Sequence, residues 1–150
     1  MRYVSTRGAA PVLAFDDVTL AGLADDGGLY VPASWPALPA VPSGDYAAVA
    51  AAAMAPFLGG SVVADGFDTL VAETYAGFRH PDVAPLRHVD EGRYLLELFW
   101  GPTLSFKDYA LQLLGGILDR ILASRGGRVL ILGATSGDTG SAAIEACRDR

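Results

Sequence analysis

The chain is short of the residues that several kinds of chemistry require. Its one cysteine, Cys147, excludes an internal disulfide, and with it the stapled secreted scaffolds. Two histidines, His80 and His88, with no second cysteine beside them, do not make a zinc cluster. Among eleven basic residues Lys107 is the only lysine, so any reaction that needs a side-chain primary amine has a single candidate. That scarcity accompanies a chain very rich in Ala and Gly and by itself assigns Lys107 no role. Basic charge is also in deficit: seventeen acidic residues outnumber the eleven basic ones, for a net charge of -6 and a pI near 4.7. Nucleic acid and anionic membrane surfaces both want a basic face, so neither is an expected partner. Long apolar runs are missing too. The longest, Ala47 to Leu58, is mostly alanine, contains Pro56 and is too short to span a bilayer. No apolar stretch follows the charged start Met1–Arg7, so no signal peptide is expected, and a cytoplasmic soluble protein is the default.

What is present suits a packed core. Hydrophobic residues make up 51% of 150 residues and the mean hydropathy is +0.32, enough for one domain of ordinary size. Residues 1–80 read as short elements broken by Pro and Gly. Tyr3–Ser5 is a short strand, and Asp16 or Asp17 caps a helix running to Leu23 that is stopped by the turn Asp25-Asp26-Gly27-Gly28. Leu29–Val31 is a second strand, followed by a connector holding Pro32, Pro36, Pro39 and Pro42. Ser43 then caps a helix with Tyr46, Val49, Ala50, Ala53 and Phe57 on its apolar face, and Asp65 to Arg79 is another, with Phe67, Leu70, Val71, Thr74 and Phe78 on one side.

The character changes at Pro81. Leu86–Val89 and Tyr94–Leu98 flank Asp90-Glu91-Gly92 as a hairpin. Ser105 caps a long helix striped by Tyr109, Leu113, Ile117 and Ile121, which ends at Gly126-Gly127. Arg128–Leu132 is a nearly all-apolar run of the kind buried on both faces of a parallel sheet, and a last helix begins near Thr139. Such a strand needs parallel neighbours and covering helices, and only the opening of that arrangement is present. We therefore expect an α/β protein in two parts, residues 1–80 and the incomplete start of a further domain at 81–150, within a longer protein. Cys147 is expected as a small core residue, and His80 and His88 as surface or turn residues.

Two stretches carry possible chemistry. Gly101-Pro102-Thr103-Leu104-Ser105-Phe106-Lys107-Asp108 sets a lysine in the first turn of a helix, where the macrodipole disfavours a cation and lowers an amine's pKa. A less basic amine suits Schiff-base chemistry with a carbonyl cofactor; the other reading is a solvated lysine, with Asp108 compensating the dipole. The second stretch, Gly133-Ala134-Thr135-Ser136-Gly137-Asp138-Thr139-Gly140, leads from the apolar run into a helix. Free N–H groups there favour an anion, and Thr135, Ser136 and Thr139 add hydroxyls. Its G-x-x-x-G-x-x-G spacing is neither a P-loop nor the dinucleotide fingerprint, and a tight turn with Asp138 as N-cap is the plainer alternative.

Together the two stretches resemble the threonine synthase family of fold-type II pyridoxal-phosphate (PLP) enzymes. The front end agrees, since Tyr3-Val4-Ser5-Thr6-Arg7-Gly8 and Asp26-Gly27-Gly28-Leu29-Tyr30-Val31-Pro32 are similar to that family's N-terminal region. The resemblance implies an N-terminal α+β region followed by the start of a three-layer, tryptophan synthase β-like domain. It implies that Lys107 carries PLP and serves as general base, and that Asp138 lies on the cofactor side. It further implies that Thr135, Ser136, Gly137, Thr139 and Gly140 hold the carboxylate of O-phospho-L-homoserine, the small-molecule substrate converted with water to L-threonine and phosphate. Many relatives have Asn where Asp138 stands, and an ionised Asp cannot donate a hydrogen bond. Asp138 acts protonated, through a water, or as a cap. Trp100 stands where many members have His. Because the family's cradle for the PLP phosphate lies beyond residue 150, the isolated chain is expected to be inactive. Other PLP lyases of the same fold, a nucleotide-binding module using Gly133–Gly140, and a non-enzymatic paralogue are the alternatives. Arg2 and Arg7 are candidates to reach a substrate phosphate.

Overall fold

The computed structural model describes residues 1–40 and 44–148. Strand β1 (Arg2–Ser5) alternates outward and inward residues, burying Tyr3 and Ser5. It is the centre of an antiparallel sheet ordered β2-β1-β3, with β2 (Leu13–Ala14) paired at Tyr3↔Leu13 and β3 (Tyr30–Pro32) at Val4↔Val31. Pro32 sits on an edge strand, where its missing N–H leaves no gap between paired strands.

Helix α1 (Phe15–Ala21) starts without the expected aspartate cap: Ala14 holds the N-cap position and makes no side-chain bond. Asp16 instead turns inward, is buried, and accepts hydrogen bonds from the Ser61 hydroxyl and from the Val62 N–H at 3.1 Å. Tertiary donors thus outcompete the local cap, because a buried carboxylate must have its partners. Asp17 pairs with Arg125 at 2.8 Å. The expected cap Ser43, with Pro42, lies outside the described residues. Asp45 caps α2 (Tyr46–Met54) by accepting from the Ala48 N–H at 2.9 Å. A 3-10 turn (Ala55–Leu58) follows, then α3 (Phe67–Ala76), shorter than Asp65–Arg79 because Gly66 at φ +68° and Gly77 bound it.

The core gathers Leu58, Val63, Phe67, Leu70, Val71, Tyr75, Phe78 and Val83 around Leu113, Ile117 and Ile121 of α4 (Asp108–Arg125). Tyr75, not the predicted Thr74, is the buried member of its turn, and Thr74 donates its hydroxyl to the Leu70 carbonyl. Tyr46, Tyr75, Phe78 and Tyr109 meet edge to face at centroid distances of 4.8 to 6.2 Å, a favoured aromatic geometry. The core is continuous across Pro81, because the α4 stripe packs on α3. Leu118 and Leu114 stay at the margin, Leu114 exposed.

The hairpin forms as β4 (Leu86–Asp90) and β5 (Arg93–Leu96), turning through Gly92 at φ +70°. Leu86, Val89, Tyr94, Leu95 and Leu96 are all exposed on it. Helix α4 stops at Gly126 in the left-handed conformation, φ +62°. Beyond it the expected strand is without the parallel neighbours it needs, as the incomplete sheet implied. Arg128–Leu132 is paired in no sheet, and Leu130 and Leu132 are 86% and 91% exposed. A strand is held by its neighbour's N–H and C=O groups, and among the described residues no strand lies beside this run. The last helix, α5 (Asp138–Ala146), forms where expected. It buries Ala142 and Ala146, while Cys147 at its C-cap is exposed rather than in the core. Among the described residues no helix is long and apolar enough to cross a membrane.

Candidate active site

Lys107 occupies the N-cap position of α4, half-buried, with Nζ 4.4 Å from the centroid of the Phe106 ring. The loop that delivers it is held from several sides. Ser105, expected as the helix cap, acts two residues ahead of the N-cap position: its hydroxyl accepts from the Lys107 N–H at 3.2 Å, and α4 begins only at Asp108. The Arg79 guanidinium donates to the Pro102 carbonyl at 3.0 Å, and the Arg79 N–H to the Trp100 carbonyl at 2.8 Å. Leu104 sits at φ +64°, a left-handed conformation that costs an L-residue about 1 kcal/mol and persists only where surrounding contacts impose it.

Those contacts centre on Asp108, which is fully buried. Its carboxylate accepts from the Thr103 N–H and the Thr103 hydroxyl, each at 2.8 Å, folding residues 103–108 into a closed loop. It also accepts from Gln112 Nε2 at 3.1 Å. Gly101 makes the closure possible, since a Cβ there would fall 2.4 Å from Asp108. Asp108 is therefore the fastening of the lysine loop as well as an acidic residue in the first helical turn. Sequence reasoning passed over Thr103 and Gln112. The available signal was a glutamine four residues after a buried aspartate, beside an otherwise apolar stripe.

Ahead of the loop, buried Glu97 accepts from Trp100 Nε1 at 2.9 Å and pairs with Arg87 at 3.1 Å. Trp100 also stacks obliquely on His80, centroids 5.0 Å apart. His88 is exposed against Tyr94 on the hairpin.

In the second stretch Thr135, Ser136, Gly137, Asp138 and Thr139 are exposed and Gly140 is half-buried. The N-cap of α5 is Gly137, at φ +145°, so the reading of Asp138 as N-cap is corrected: Asp138 is the first helical residue. A glycine is needed at that backbone conformation, which displaces the cap by one residue. Thr135 takes over the capping, its hydroxyl oxygen accepting from the Gly137 and Gly140 N–H groups at 3.1 Å each. The Thr135 hydroxyl keeps its own hydrogen to donate outward. The N–H groups of Asp138 and Thr139, in the first turn, have no acceptor within the helix, which suits an anion.

The two stretches are brought to one end of a helix pair. Gln112 Nε2 donates to the Ala142 carbonyl at 3.2 Å, and a Cβ on Gly115 would fall 2.5 Å from the Ala146 carbonyl oxygen. Residue numbers rise together along both contacts, so α4 and α5 run parallel with their N-termini at the same end. Gln112 and Ala142 each lie four residues past the first residue of their helix, so the two N-termini open at the same end of the pair. Alongside α4, a cavity of about 530 Å³ is lined by Leu118, Asp119, Arg128, Val129, Ile131 and Cys147 among others.

The N-terminal signatures meet as well. Asp26 accepts from the Ser5 hydroxyl at 2.7 Å and from the N–H groups of Ala9, Ala10 and Gly28 at 2.9 to 3.0 Å. The Ser5 bond foremost, with those amides, holds its carboxyl down at about 2 against the pull of desolvation. Arg7 donates to the Asp26 carbonyl at 3.0 Å and Arg2 to the Val12 carbonyl at 3.2 Å.

Residues 2–75 match the family model described as threonine synthase N terminus. The threonine synthase of Pseudomonas aeruginosa is 56% identical, over 99% of this chain and 33% of that protein. The crystal structure of PLP-bound threonine synthase from Brucella melitensis superposes with a TM-score of 0.92 at 54% identity, over 97% of this chain and 32% of that one. Threonine synthase from yeast superposes with a TM-score of 0.83 at 33% identity, over 99% and 33%. The chain thus spans about a third of the length of the relatives it matches. On this sequence match and shared fold, the chain belongs to the threonine synthase family and corresponds to its N-terminal portion.

Proposed function

We propose that this chain supplies the PLP-attaching lysine and the substrate-carboxylate loop of a threonine synthase, a PLP-dependent lyase that converts O-phospho-L-homoserine and water to L-threonine and phosphate. The observation that carries this is the parallel pairing of α4 and α5, which have Lys107 and the glycine-rich turn at their respective N-termini, opening at the same end of the pair. The donor set fits the group: a half-buried primary amine suits covalent attachment, and the exposed amides and hydroxyls at the N-terminus of α5 suit a carboxylate. PLP, when bound, supplies an electron sink for charge developing on the substrate.

The chain's own residues do the rest. The Lys107 amine holds the cofactor and, once released, takes and returns a proton at the substrate's Cα. Ser136 and Thr139, with the Asp138 and Thr139 N–H groups, orient the α-carboxylate, and Thr135 braces the loop from behind. Asp138 stands at the cofactor side of the same turn. Residues 1–80 form the family's N-terminal region and 81–150 the start of the fold-type II catalytic domain, in a cytoplasmic enzyme.

Titration with PLP followed by absorbance tests this reading. The wild-type chain is expected to show a spectral shift that Lys107→Arg loses. An identical shift in both proteins contradicts it. The chain alone is expected to release no phosphate from O-phospho-L-homoserine, since relatives are about three times as long; steady release overturns that expectation.

A further inference from the structure

We propose that Gln112 is a positioning residue that sets the register between the lysine turn and the carboxylate loop. This rests on the reading of those two stretches as one site. The amide nitrogen of Gln112 has two hydrogens and spends one within α4, on Asp108 Oδ1 at 3.1 Å, and one across the helix interface, on the Ala142 carbonyl at 3.2 Å. Asp108 is bonded covalently to Lys107 and locks the loop in front of it through Thr103. Ala142 lies one turn inside α5 from Asp138 and is fully buried, so its carbonyl cannot shift without moving the helix. The chain of contacts Thr103–Asp108–Gln112–Ala142 therefore ties the backbone on either side of Lys107 to the helix whose first turn offers the free amides.

The second contact between the helices, Gly115 against Ala146, is van der Waals packing of backbone on backbone. It fixes how closely α4 and α5 approach. Sliding along their common axis is opposed by the directional bond from Gln112 to the Ala142 carbonyl. A slide of even 1 Å displaces an amine from the atom it must reach, and such displacements are costly to catalysis.

Gln112→Leu, nearly equal in volume and lacking the donor, tests the proposal by amide hydrogen exchange and by cofactor trapping. Exchange is expected to quicken about five- to tenfold at Thr103, Gly140 and Ser141, the effect of one lost hydrogen bond, and to stay unchanged across Phe67–Ala76. PLP with borohydride is then used to label primary amines, of which the chain has two, Lys107 and the Met1 terminus. The Lys107-to-Met1 labelling ratio is expected to fall severalfold in Gln112→Leu. Asp108→Asn, which keeps Oδ1 for the Thr103 hydroxyl and Gln112 while giving up the acceptor of the Thr103 N–H, is expected to retain most of the ratio. Equal loosening of α3, or unchanged exchange at Gly140 and Ser141, overturns the proposal. A wild-type ratio with no preference for Lys107 refutes the cofactor assignment instead, and the exchange data still decide the coupling.

Discussion

Two apolar segments of this chain meet opposite fates. Leu70 and Val71 of α3, with Ile121 of α4, are sealed in a core that has partners on every side. Val129-Leu130-Ile131-Leu132 is at least as hydrophobic and lies open to solvent. A helix satisfies its backbone internally and needs only a neighbouring face to pack on, whereas a strand needs another strand. Apolar sequence is thus converted to stability only where the chain also contains the complementary element.

The sharpest way to break this contrast is substitution on either side of it. Ile121→Ala is expected to lose about 4 kcal/mol, as for a large aliphatic side chain removed from a tight core. Leu132→Ala is expected to change stability by less than about 0.5 kcal/mol, because Leu132 is 91% exposed. Urea denaturation measures both, and a comparable loss at Leu132 means that the open run is covered in solution. Gly101→Ala comes next, at about 3 kcal/mol, because its methyl would fall 2.4 Å from the buried Asp108.

The smallest effect concerns acid. Asp26 is held at about 2, below the ordinary aspartate value of 3.8, so the folded state binds its proton less readily than the unfolded state. Its stabilisation is full above about pH 4 and fades as the pH falls toward 2. Asp26→Asn is expected to flatten that part of the stability–pH curve while leaving exchange in residues 128–132 unaltered. An unchanged acid slope contradicts the role assigned to the Ser5–Asp26 junction.

Much of the fold was legible because it is local. The stripe Leu113, Ile117 and Ile121 predicted the buried face of α4, and Asp90-Glu91-Gly92 predicted the hairpin turn. The misses have separate causes: a distant partner in one case, local loop geometry in the next and helix packing in the last. Asp16 abandons helix capping for Ser61 and Val62, forty-five and forty-six residues away. Asp138 yields the N-cap position to Gly137, and Thr135 closes the loop. Cys147 is exposed at the α5 terminus, on the cavity beside α4, while the smaller Ala142 and Ala146 pack into the helix interface, where Gly115 leaves room only for small residues. The candidate site was legible as two motifs. The packing of the two helices that carry them was not, because its contacts run through Gln112 and Gly115, which stand out only when the helices are seen side by side.

The central claim is that Lys107 is the amine prepared for the cofactor. The most direct measurement is to incubate the chain with PLP, reduce with borohydride, and map the labelled peptide by mass spectrometry. The account predicts label concentrated on Lys107, well above the reference amine at Met1. Label spread equally over the two amines, or confined to Met1, would contradict it.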